Sequence, residues 1–82
     1  MGKKIYVGNI SPSADNASLQ ALFSAFGTVE KAYIVKDRQT GESKGYGFVV
    51  MSNDAEAQGA IKALDGKKCG EYTVKVDEAK GK

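Results

Sequence analysis

The sequence contains no histidine, a single cysteine (Cys69), a single arginine (Arg38), and no apolar run approaching the length of a membrane span. Without histidine the usual general base is missing, and a metal site built from nitrogen and sulfur ligands has no imidazole to draw on. No metal and no cofactor are therefore expected. One cysteine cannot close an internal disulfide, and Cys69 reads as a small core or half-core residue. A helix crossing a bilayer needs about 18 or more consecutive apolar residues, so no membrane association is expected. Met1-Gly2-Lys3-Lys4 leads directly into an apolar stretch, and no secretory leader is expected. The triplets Asn9-Ile10-Ser11 and Asn16-Ala17-Ser18 fit the glycosylation sequon, but such triplets arise often by chance. A cytoplasmic location follows as the expectation. Neither sign of charge dominates: the net charge is +2, too small to hold nucleic acid by charge alone. Where the charges sit therefore matters more than their sum.

What the sequence does contain is a stretch that a core strand would not need. In Lys44-Gly45-Tyr46-Gly47-Phe48-Val49-Val50-Met51, read as a β-strand, alternate side chains point to opposite faces. Lys44, Tyr46 and Phe48 share one face; Val49 and Met51 share the other. A cation and two rings on one side suit a surface that stacks flat π-systems. Gly45 and Gly47 mark places of close approach. In Ile5-Tyr6-Val7-Gly8-Asn9-Ile10, Ile5 and Val7 point one way and Tyr6 the other. If the two strands are neighbours, Tyr6, Tyr46 and Phe48 make one aromatic patch.

The octamer KGYGFVVM resembles the longer signature of the RNA recognition motif, read as basic, Gly, aromatic, Gly, aromatic, aliphatic, any residue and a final Phe, Tyr or Met, and IYVGNI resembles its shorter companion. The two occur in the right order, and the resemblance covers roughly Lys4 to Ala79, within a chain read as one domain of 82 residues.

The remaining segments fit that frame. Asp15 is placed to N-cap a first helix, in which Leu19, Leu22, Phe23 and Phe26 recur at i, i+3, i+4, i+7 and form one apolar stripe. Both phenylalanines are expected in the core, and Gly27 is expected to end the helix. A second strand, about Val29 to Lys36, turns Ala32 and Ile34 inward and Lys31, Tyr33 and Val35 outward. Asp37 to Ser43 has the composition of a hairpin loop. A second helix starting at Asn53 or Asp54 carries Ala57, Ala60, Ile61 and Leu64 as its stripe and stops at Asp65-Gly66. Lys67 and Lys68 read as loop. A last strand, about Tyr72 to Asp77, points Val74 and Val76 inward and Thr73, Lys75 and Asp77 outward. The order is βαββαβ: two split βαβ units giving an α+β, ferredoxin-like sandwich with both helices on one face of a four-stranded antiparallel sheet. The resemblance implies strand order 4-1-3-2, which puts the first and third strands side by side.

Rings on the uncovered face suit single-stranded RNA, whose unstacked bases can lie on aromatic side chains; single-stranded DNA stays open as a second ligand. Two or three stacked bases at about 1–3 kcal/mol each place the affinity between millimolar and micromolar. The resemblance implies that Tyr6 and Tyr46 stack on bases, that Phe48 inserts between sugars or stacks on a further base, and that Lys44 contacts phosphate. Tyr33 is a fourth ring on the same face. Lys75, Arg38 and Lys3 or Lys4 are further candidates for phosphate contact, and Asn9 for a contact or for holding its loop. Where the family often shows Gly-Arg before the last strand, this sequence has Gly70-Glu71-Tyr72, which weakens the case for a phosphate contact at that edge. The protein is expected to be a monomer and not an enzyme. Two other readings remain: a protein-binding module on the same fold, which typically gives up its platform rings, and an acylphosphatase-like enzyme, which needs an arginine in an anion-cradling loop where this sequence has none.

Overall fold

A computed structural model of the chain describes residues 4–69 and 72–79. Strand β1 (Lys4–Gly8) buries Ile5 and Val7 completely and turns Tyr6 to the other side, as a side-chain period of two requires. Helix α1 (Asn16–Ser24) is followed by β2 (Val29–Lys36), β3 (Ser43–Met51) and helix α2 (Asp54–Leu64). A short hairpin of β4 (Lys68–Cys69) and β5 (Tyr72–Thr73) precedes β6 (Lys75–Glu78). The main sheet has the order β2-β3-β1-β6, all pairs antiparallel. Counted among its own four strands this is the expected 4-1-3-2.

Both helices pack on one face of that sheet. Ile5, Val7, Val49, Met51 and Val76 point at them from the strands; Leu19, Phe23, Ala57, Ala60 and Leu64 answer from the helices. Gly47 belongs to this face. A Cβ there would run into the Tyr33 carbonyl oxygen and lie 3.1 Å from the Ile34 Cα and 3.3 Å from Leu19 Cδ2. The missing side chain is what lets α1 settle against β3.

The helix starts are built as the sequence suggests. Asp15 Oδ1 accepts from the Ser18 N–H at 2.8 Å, and Ser18 Oγ accepts from the Asp15 N–H at 3.0 Å. Each satisfies a donor that helix geometry leaves free. The Ser18 backbone N–H, and then its hydroxyl, hold the Asp15 carboxyl below its ordinary value. Asn53 caps α2 through the Glu56 N–H. The hairpin loop closes on Asp37, whose Oδ1 accepts from the Gln39 and Thr40 N–H groups.

Three expectations need correction. Helix α1 ends at Ser24 with Ala25 as its C-cap, two residues before Gly27. The helical period stops there, so Phe26 leaves the stripe and is 36% exposed while Phe23 is 0% exposed. Lys68 is not loop but the start of β4. The last strand is broken at Val74, whose N–H donates to the Lys67 carbonyl and whose carbonyl accepts from the Gly66 N–H. The chain thus pairs first with the end of the α2 loop and only then with β1. Its side-chain alternation survives the break, with Val74 and Val76 buried and Thr73, Lys75 and Asp77 exposed. The side chain of Cys69, and Lys3, Gly70 and Glu71, lie outside the described residues.

Candidate nucleic-acid interface

The strand register lines up one row of side chains across the uncovered face. Tyr6 on β1 pairs with Phe48 on β3, Phe48 pairs with Tyr33 on β2, and Tyr6 pairs on its other side with Asp77 on β6. One step along, Gly8 stands between Tyr46 on β3 and Lys75 on β6. Directly paired residues lie within side-chain contact, so four rings on three strands meet. Ring centroids are 5.9 Å apart for Tyr6–Phe48, 5.7 Å for Tyr33–Phe48, 5.8 Å for Tyr6–Tyr46 and 6.1 Å for Tyr46–Phe48. All four are half-buried, and they are covered by one another rather than by a helix.

Their orientations divide them. The Tyr6 and Tyr46 rings are tilted by only 35°, which allows each to offer a face to a flat ligand. Phe48 stands nearly perpendicular to Tyr46, at 89°, and edge-on to Tyr6, at 63°. Such edge-to-face packing is the favoured arrangement for neighbouring rings. The Lys4 Nζ sits 4.8 Å from the Phe48 centroid, a cation–π contact. Of these four ring pairs Tyr6 and Tyr46 come nearest to parallel, while Phe48 stands edge-on to both.

Gly8 is a residue that reading the sequence missed. A Cβ at Gly8 would lie 2.6 Å from the Tyr6 hydroxyl oxygen and 2.9 Å from two of its ring carbons. The Tyr6 ring therefore lies down over Gly8, two residues along the same strand face. The signal was present: an aromatic followed at i+2 by glycine, in a strand with one open face. Gly8→Val is expected to lift the Tyr6 ring off the sheet. Binding of short RNA should weaken by about tenfold, the loss of one stacked base. Anisotropy titration checks this, with circular dichroism confirming the fold.

The cations fall around the rings. Lys4 and Lys31 flank Val50 on the row above, and Lys75 sits beside Gly8 on the row below; all three lysines are exposed. Lys44 is exposed at the start of β3, inside a register shift between β2 and β3 that also contains Gly45, with φ 88°. That left-handed backbone interrupts the strand alternation, so Lys44 does not simply continue the line of Tyr46 and Phe48. Arg38 is exposed in the β2–β3 turn, beyond the edge of the platform. Asn9 sits in the left-handed region (φ 56°), and its Nδ2 donates to the Thr73 carbonyl at 2.7 Å. Asn9 thus ties the end of β1 to the β5 hairpin. Among the described residues no cluster of three or more His, Cys, Asp or Glu could hold a metal ion, and no helix is long and apolar enough to cross a membrane.

Known proteins carry the same pattern. The family model for the RNA recognition motif matches residues 5–75. The chain belongs to the RNA recognition motif family. This RNA recognition motif is 47% identical over 76 residues to the chloroplast 31 kDa ribonucleoprotein of Nicotiana sylvestris, covering 93% of the chain but 24% of that protein. It is 45% identical to the Nostoc protein RbpB, again over 93% of the chain and 74% of its relative. The motif therefore spans about a quarter of the chloroplast protein and most of the cyanobacterial one. Among solved structures, a Sex-lethal protein/RNA complex superposes with a TM-score of 0.95 at 30% identity, covering all of this chain and 49% of that one.

Proposed function

We propose that this RNA recognition motif binds short single-stranded RNA across the open face of its sheet. Bases stack on Tyr6 and Tyr46, Phe48 wedges between sugars or takes a further base, and Tyr33 extends the platform toward β2. Lys4, Lys44 and Lys75, with Arg38 on its loop, approach the phosphates. Asn9 contributes by holding its loop. The observation that carries this reading is the contiguous row of rings on a face that no helix among the described residues covers. Half-buried aromatics set at differing angles, ringed by lysine, are what unstacked bases and a charged backbone require. The likeness to a Sex-lethal protein/RNA complex supports RNA as the ligand. The domain acts as a binder rather than a catalyst and works as a monomer in the cytoplasm. The same platform accepts single-stranded DNA where the 2′-hydroxyl is not read.

Anisotropy titration with a labelled oligoribonucleotide tests this. Four phosphate contacts give a log–log salt slope near −2.8, so affinity should fall about 50-fold between 50 and 200 mM salt. Amide shifts on binding should map to β1 and β3. Shifts confined to α1 and α2 would instead favour a protein-binding role.

A further inference from the structure

The aromatic row ends on β6 in a carboxylate. Asp77 pairs directly with Tyr6, and Lys75, two residues earlier on the same open face, pairs with Gly8, over which the Tyr6 ring lies. Both side chains are exposed. A negative group in this position repels phosphate, and its neighbours on the face are lysines that attract it. It is a poor place for the backbone of a nucleic acid and a good one for a base edge that donates hydrogen bonds.

Resting on the reading above, we propose that Asp77 and Lys75 read the base stacked on Tyr6 and select guanine there. A carboxylate has two oxygens with about four lone-pair sites. Asp77 Oδ1 already accepts from the Glu78 N–H at 2.7 Å, which orients the carboxylate; its remaining sites have no hydrogen-bond partner among the described residues. Guanine alone among the four bases presents two adjacent donors, N1–H and the N2 amino group, on its Watson–Crick edge, with the O6 acceptor beside them. Two parallel donors meet the two carboxylate oxygens, and the Lys75 ammonium donates to O6. Uracil offers one donor between two acceptors, so one of its carbonyls faces the carboxylate. Adenine and cytosine each bring an amino group but set an unprotonated ring nitrogen beside it. A base contact that leaves such a polar group unpaired is penalised more than one that merely lacks a bond.

The probes are labelled uridine pentamers carrying one guanosine, inosine or adenosine at the central position, titrated against the intact chain and against Asp77→Asn. Inosine lacks only the N2 amino group. The expected ranking is guanosine over inosine over adenosine, with roughly tenfold or more between the extremes. In Asp77→Asn that ranking collapses, while the all-uridine pentamer binds as well as or better than before because a negative charge has gone. Lys75→Gln lowers the guanosine preference and the salt slope together. If the wild-type chain binds all pentamers equally, or Asp77→Asn keeps the guanosine ranking, Asp77 does not read the base, and RNA binding itself stands. If no pentamer binds, the proposed function fails and the base assignment with it. The inosine comparison uses unmodified protein, so it remains decisive whatever the variants do to folding.

Discussion

Replacing Tyr46 and Phe48 together by alanine is expected to weaken binding of short single-stranded RNA by about 30-fold or more, since each stacked base is worth about 1–3 kcal/mol. The rings touch, at 6.1 Å between centroids, so the two losses need not add. Phe48 contacts Tyr6, Tyr33 and Tyr46; without it the remaining rings lose their common neighbour and the platform loosens as well as shrinks. Some stability goes too, because each aromatic pair contributes about 0.5–1.5 kcal/mol beyond its area. The fold should nevertheless persist, because Val49 and Met51, on the opposite face of the same strand, remain fully buried against the helices. Tyr46→Phe separates stacking from hydrogen bonding: it keeps the π-face and should keep most of the affinity. Isothermal titration of both variants, beside their circular dichroism spectra, reads this out. Undiminished affinity in the double variant, with the spectrum unchanged, would falsify the stacking role.

Much of this surface was legible in the chain because strand periodicity is short and strict. Once β1 and β3 are strands, Tyr6, Tyr46 and Phe48 can only fall on the face that Ile5, Val7, Val49 and Met51 avoid. Tyr33 followed from the same rule applied to Ile34. The caps at Asp15 and Asn53 were legible for a comparably local reason, since a side chain bonding an N–H three residues on needs no tertiary information. What escaped depends on groups far apart in sequence. The angle between Tyr46 and Phe48 is set by mutual packing, not by their own strand. The seat under Tyr6 required knowing that the ring lies along β1 instead of standing up from it. The break at Val74 arises because Gly66 and Lys67, in the preceding loop, take its backbone groups. The bulge at Gly45 places Lys44 off the line that simple alternation draws, although a glycine inside a strand is a recognised sign of such a bulge.

Phe23 and Phe26 put the limits of periodicity to a direct test, because the same stripe contains both and the structure separates them. Phe23→Ala should cost about 3–5 kcal/mol, the range for emptying a fully buried aromatic site. Phe26→Ala should cost less than about 1 kcal/mol, since the ring lies past the end of α1 and already meets water. For a domain this small, whose total stability lies toward the lower end of about 5–15 kcal/mol, the first change leaves a large unfolded fraction and the second leaves the domain intact. Urea unfolding followed by circular dichroism reports the two midpoints; equal shifts would place Phe26 in the core after all. The consequence for RNA follows from topology. Tyr6, Phe48 and Tyr33 belong to three different strands and meet only through the sheet. An unfolded chain has the same rings and no platform. The apparent dissociation constant of Phe23→Ala should therefore rise in inverse proportion to the fraction folded, and stabilising the fold with an osmolyte should restore it. The same treatment should leave Tyr46→Ala/Phe48→Ala as weak as before, because that variant has kept its fold and lost its stacking surface.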